Sequence, residues 1–194
     1  MNTLKSNQPE LNNTRPATGA WAAVALSLLA LTAGARADNA APPALPSPLC
    51  DSLQVTDGSQ VVFHVYAVGV QIYHWNGSSW VFIAPAANLY ADPGHHGQVG
   101  IHYLTQGQGP TWESNSGSKV IGARVAACTP DATAIPWLKL HAIFSQGPGV
   151  FDGVTYIQRV RTVGGIAPST PGTTVGQEAD VPYTAEYYFY AAAD

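Results

Sequence analysis

The chain has 194 residues, of which 46% are apolar and only 10% charged, with 19 glycines and 15 prolines. Such a composition can bury a core and argues against intrinsic disorder. Eight Lys and Arg against twelve Asp and Glu give a formal net charge of −4, which leaves no basic footprint for nucleic acid.

Residues 1–37 read as a signal peptide. A polar segment with Lys5 and Arg15 precedes the apolar run Ala20–Leu31, and Ala35 and Ala37 supply the small residues of a cleavage site. The run is shorter than the roughly 20 apolar residues a spanning helix needs, so no membrane span is expected in the mature chain. Cleavage after Ala37 leaves five basic against eleven acidic residues, a net charge of −6. The expected location is secreted or periplasmic. Residues 38–60 form a Pro-rich leader and first turn, expected to be extended and without a core of its own. Cys50 and Cys128 are the two cysteines, and an oxidising compartment makes one disulfide the expectation.

From 61 to 194 the pattern is that of a single β-domain. Val61–Tyr66 and Gly69–Trp75 are β-branched and aromatic, Asn76-Gly77 marks a turn, and Trp80–Ile83 returns as a hairpin strand. Ala84–Gly97 is rich in turn residues. Further strands are expected over Val99–Leu104, Thr111–Glu113, Lys119–Cys128, Trp137–Phe144, Val154–Thr162 and Val181–Tyr190. No stretch shows a capped helical stripe. Strands at intervals of about ten residues indicate an all-β fold, an antiparallel β-sandwich or barrel in one domain.

The densest group of binding or reactive side chains is His102, Tyr103, Trp112, Glu113 and Lys119, carried on two neighbouring strands. His102 and Glu113 can form an acid–base pair if both reach one substrate. Glu113 is accordingly expected to matter more for ligand binding than for stability, and Trp112 the reverse. Gln158 sits on an otherwise apolar strand face, between Tyr156 and Val160, where it lines an internal pocket or bonds to backbone. Arg159 and Arg161 are expected to be solvated or paired with Glu178 or Asp180. Asp92, His95, His96 and His102 have metal-ligand chemistry but no ligand spacing, so no metal is expected, and no cofactor motif is present. The serine-hydrolase elbow G-x-S-x-G is absent. These features favour a β-domain that binds a small molecule or glycan in an aromatic-rimmed cleft. A hydrolase using His102 and Glu113, or a structural envelope or matrix protein, are the alternatives.

Several segments in order, among them Gly69-Val70-Gln71-Ile72-Tyr73, Gly109-Pro110-Thr111-Trp112-Glu113, Ala134-Ile135-Pro136-Trp137-Leu138, Tyr156-Ile157-Gln158-Arg159-Val160, Thr162-Val163-Gly164-Gly165 and Val181-Pro182-Tyr183-Thr184-Ala185-Glu186-Tyr187-Tyr188-Phe189-Tyr190, resemble the secreted bacterial and fungal family called domain of unknown function 3455. The resemblance runs from about residue 61 to the end. It implies export and a single domain and carries over no activity. Many members have a Cys after Gln-Ile-Tyr and another in the loop after Gly-Gly. Here those places hold His74 and the loop Ser169–Gly172, which implies that the bridge has moved to Cys50 and Cys128.

Overall fold

The structure is a computed structural model that describes residues 40–193. The expected signal peptide and the first residues of the leader lie outside the described residues. Eight strands follow one another: β1 (Ser59–Trp75), β2 (Trp80–Tyr90), β3 (Gln98–Thr105), β4 (Gly109–Ser114), β5 (Lys119–Cys128), β6 (Trp137–Gln146), β7 (Val154–Gly164) and β8 (Glu178–Ala192). Each pairs antiparallel with its neighbour in the chain, and β8 returns to β1, so the sheet closes into an up-and-down barrel. The all-β, single-domain expectation holds, and of sandwich and barrel the chain forms the barrel. Length explains the closure. β1 is 17 residues long and pairs with β8 from Ser59 to His74 and with β2 from Tyr66 to Trp75.

Alternation places one face of each strand inside. Val65, Ala67, Gln71 and Tyr73 of β1 point inward, as do Tyr183, Ala185, Tyr187 and Phe189 of β8. The lower end is packed solid. Phe151, from the β6–β7 loop, lies 4.8 Å from Phe189 and 5.7 Å from Phe63, centroid to centroid, with Val154, Ile157, Val120 and Leu89 around them. The upper end, where β1 meets β2 and β7 meets β8, is open.

Two elements differ from expectation. Val61–Tyr66 and Gly69–Trp75 are one continuous strand, and β2 runs to Tyr90 through a segment expected to be turns. Packing overrides the weak strand propensity of Ala84–Asn88. A Cβ on Gly69 would collide with the Ala86 carbonyl and come within 2.5 Å of the Ala87 Cα, so small residues on both strands let the barrel wall turn sharply here. Pro85 precedes the β2–β3 ladder, which begins at Ala87, and is tolerated because β2 is an edge at that level.

The described part of the leader, residues 40–58, straps the outside of the barrel. Leu45, Val55 and a 3-10 turn, Asp51–Leu53, cover Val61, Val160, Tyr188, Tyr190 and Trp137. Leu53 is fully buried, and Cys50 is disulfide-bonded to Cys128 at the end of β5. Gln158 fastens the strap: its amide donates to the Leu53 carbonyl and its carbonyl accepts from the Tyr190 hydroxyl. Of the two roles expected for Gln158, bonding to backbone is the one realised, on the outer face of β7.

Candidate functional site

The upper half of the barrel encloses a cavity of about 380 Å³. Its floor is aromatic. His102 on β3 and Trp112 on β4 are register partners, their rings stacked at 4.4 Å and 12°, and Tyr187 of β8 approaches both, at 5.2 Å and 5.3 Å. Leu104, Leu138, Leu140 and Pro110 make the walls apolar. Tyr73 and Phe82 stand at the lip, 5.8 Å apart. Above Ala87–His102, β2 and β3 share no ladder, and β4 pairs with β5 only from Thr111 to Glu113, so the β3–β4 hairpin flanks the mouth held mainly by its own bonds.

The rim opposite is built by the β7–β8 loop, which opens on Gly164-Gly165, and by the β5–β6 loop, which carries Ile135 and Pro136. Gly164 and Gly165 both have positive φ, +67° and +78°. This bend carries the Gly165 carbonyl to the Tyr73 hydroxyl at 2.7 Å and the Gly164 carbonyl to the Ile135 amide at 2.9 Å. A Cβ on Gly165 would lie 2.9 Å from Tyr183 Cβ, closer than real contacts allow. The Gly-Gly pair therefore seats Ile135 and Pro136 at the mouth.

Polar groups in this wall are short of partners. Gln71, Trp112 and Tyr187 line the cavity, and their Nε2, Nε1 and Oη atoms, with Tyr183 Oη, are buried without a hydrogen bond of good geometry among the described residues, although Tyr183 lies near enough to Tyr187 and Gln71, and Tyr187 to Arg159, to perturb the tyrosine hydroxyls. Buried donors left unpaired cost about 1–3 kcal/mol each, so a guest or water that accepts from them recovers that cost. His102 is different. A carbonyl can only accept, so the 2.8 Å contact to Thr111 O fixes the proton on Nδ1 and leaves Nε2 an acceptor. Burial pushes its pKa down to about 3, which keeps the ring neutral. Burial likewise raises the Tyr183 and Tyr187 hydroxyls, which stay protonated.

The depressed pKa predicts a pH dependence. The unfolded chain binds a proton on His102 below about pH 6.5 and the native state does not. Native stability should therefore fall by about 1.4 kcal/mol per pH unit as pH drops from about 6.5 toward 3. Urea midpoints at pH 7 and pH 5 for the wild type and His102→Gln should diverge accordingly. Equal losses in the two would remove His102 as a source.

The six residues singled out from sequence divide three ways. His102 and Trp112 meet on the cup floor. Tyr103, Glu113 and Lys119 are partners on the opposite, outer face: the Tyr103 hydroxyl donates to Glu113 Oε2 at 2.7 Å, and Lys119 Nζ lies 3.1 Å from the same oxygen. These contacts, the tyrosine's first, hold the Glu113 carboxyl below its usual range. Gln158 lies under the leader. The physical reason is the two-residue period of a strand, which sends neighbours such as Trp112 and Glu113 to opposite faces. His102 and Glu113 therefore do not converge on a common substrate. Glu113→Gln is now expected to cost under about 1 kcal/mol, as for an exposed pair, and to leave binding in the cup unchanged. Denaturation and ligand titration of that variant check both.

Arg124 and Arg159 line the cup and escaped the sequence reading, as did Gln71, Tyr73 and Tyr187. Arg159 is half-exposed, with no carboxylate partner among the described residues. Its Nε and Nη2 donate to the Pro136 carbonyl at 3.2 Å and 2.8 Å. Arg161 pairs with Glu186 at 2.6 Å rather than with Glu178 or Asp180, and His64 and Tyr188 reach the same Glu186 oxygen at 3.0 Å. A signal for Arg159 was available, since it shares its strand face with the apolar Ile157. Asp92 and His96 pair in an exposed loop at 3.0 Å, whereas His102 is buried on the cup floor, and no cluster of three metal-ligating side chains occurs among the described residues. No helix among the described residues is long and apolar enough to cross a membrane.

Comparison with curated proteins and with solved structures gave no match. A family model does match, over residues 56–191. That stretch begins just before β1 and ends within β8, so it takes in the barrel wall and every residue of the cup. The chain accordingly belongs to the family described as protein of unknown function (DUF3455).

Proposed function

We propose that this protein is an exported, non-enzymatic binding protein that holds a small molecule in the upper cup of its barrel. The observation that carries the reading is the set of buried, unpartnered donors, Gln71 Nε2, Trp112 Nε1 and Tyr187 Oη, around a largely apolar cavity. Barrel mouths with apolar walls and a few convergent polar groups are general small-molecule sites. A compact ligand fits better than a glycan chain, because Trp112 and Tyr187 face inward rather than lie as an exposed platform. Binding is favoured over hydrolysis because no carboxylate, Ser, Thr, Cys or Lys lines the cup. Export is supported by the signal-like segment and by the Cys50–Cys128 bridge. Amino-terminal sequencing of exported material should begin at or near Asp38.

The test of binding is a small-molecule panel read by thermal shift on the wild type and on Leu138→Trp, which fills the cup. Compounds that stabilise the first and not the second support the reading. A panel whose hits survive Leu138→Trp, or that has none, refutes it.

A further inference from the structure

We infer that the ligand of this cup is a compact organic anion, an apolar or aromatic body carrying a carboxylate or sulfonate that faces Arg124 and Arg159. This inference deepens the binding reading and rests on it.

Charge is distributed in a way that singles out the cup. The described residues carry five Lys and Arg against nine Asp and Glu, so cations are scarce. Lys119 and Arg161 are matched to Glu113 and Glu186, and Lys139 Nζ donates to the Gln54 carbonyl. The remaining two, Arg124 and Arg159, both line the cup, and neither has a carboxylate partner among the described residues. A protein with excess acid has thus placed two unpaired guanidiniums on one cavity that contains no acid.

Arg159 is also held in place. With Nε and Nη2 on the Pro136 carbonyl, its fork is oriented before any ligand arrives, beside the Tyr187 hydroxyl. Pro136 is itself seated by Ile135, whose amide donates to the Gly164 carbonyl and whose carbonyl accepts from the Thr162 hydroxyl. A preorganised guanidinium loses little entropy on binding, and planar recognition of an oxyanion is what it does best. Its charge is felt at the floor, where it reinforces burial in keeping His102 neutral.

The remaining polar groups agree. Gln71 Nε2 and Trp112 Nε1 are donors only, and the Tyr183 and Tyr187 hydroxyls are protonated. His102 Nε2 accepts, and the two tyrosine hydroxyls can donate or accept. A wall dominated by donors calls for an acceptor-rich guest, whereas a neutral hydrocarbon would leave every donor unpaired. The leucine and proline walls and the His102–Trp112 floor take the apolar body.

The experiment uses two fluorescent probes on the disulfide-bonded protein, anilinonaphthalene sulfonate and the neutral phenylnaphthylamine, which has the same rings without the sulfonate. The sulfonate should bind at least about tenfold more tightly, in line with a charge-assisted contact, and its affinity should fall with added salt. Arg124→Gln with Arg159→Gln should lose about tenfold for the sulfonate and leave the neutral probe within about twofold. Arg159→Lys, which keeps the charge but not the fork, should fall between the wild type and the double variant, and the unchanged neutral-probe affinity of the double variant shows that the loss is not misfolding. Leu138→Trp should abolish both. Equal affinity for the two probes, unaltered by the double variant, overturns the anion while the binding site stands. Failure of both probes, or binding that survives Leu138→Trp, overturns the inference together with the site.

Discussion

Trp112→Ala should lower stability by about 3–5 kcal/mol, as expected for a large aromatic removed from a core. Trp112 is 1% exposed and touches three aromatic partners: His102 in a stack, and Tyr187 and Phe189 edge-on at 5.3 Å and 6.0 Å. It is the floor on which the cup ends and the lower core begins. Truncation joins the two spaces, so the lost transfer energy comes with a cavity that the closed sheet cannot collapse. His102 loses its stacking surface as well, and ligand binding should disappear with it. Trp112→Phe separates the effects. It keeps most of the ring and removes the unpartnered Nε1 donor, so it should cost far less than alanine while weakening any ligand that accepts from that donor. The check is urea denaturation of both variants at one pH with the disulfide intact. Alanine within about 1 kcal/mol of the wild type would mean that Trp112 does not seal the core.

Strand identity was readable because it is local. β-branched and aromatic runs between Gly and Pro turns located all eight strands, and the absence of helical stripes excluded the other fold classes. Closure was not readable, because it depends on β1 meeting β8 at a separation of more than a hundred residues, and a strand pattern alone does not name its partner. The end of β2 was missed for a related reason: Ala86 and Ala87 are weak strand formers whose fit against Gly69 is a tertiary fact.

The site was half readable. His102 and Trp112 lie together because consecutive strands pair in register, His102 opposite Trp112. Glu113 was misassigned to the same site by closeness in sequence, although the strand period places it on the other face. Arg159 and Arg161, two positions apart, carry one expectation from the sequence, solvation or a pair with Glu178 or Asp180. A register shift between Val160 and Val163, with Arg161 at φ +48°, separates their fates. Bulges redirect side chains, and single-strand alternation does not foresee them. The polar orphans around the cup are a property of three strands at once, β1, β4 and β8, and no one segment announces them.

Removing the bridge, as Cys50→Ala with Cys128→Ala, should cost about 4.5 kcal/mol by the chain-entropy relation for a separation of 78 residues. The loop so closed contains β1 to β5, more than half the barrel, so the bridge restricts the unfolded chain over most of the sheet. Part of the effect is local. Cys50 and Leu53 are fully buried with Cys128, Ala126 and Trp137, and the strap they anchor covers Gln158, Tyr188 and Tyr190 on the outer wall. If the strap peels away, Gln158 loses its Leu53 acceptor and the β7–β8 face becomes wet. Two measurements distinguish the contributions. Global denaturation of the alanine pair reports the stability of the barrel, and limited proteolysis of residues 40–58 under native conditions reports peeling. The expected result is a large global loss together with earlier cleavage of the strap. Strap cleavage with the barrel's midpoint unchanged would mean that the bridge secures only the leader, and that the eight-stranded closure is sufficient by itself. A loss below about 1 kcal/mol by both measures would show that the unfolded chain is already restricted without the bridge.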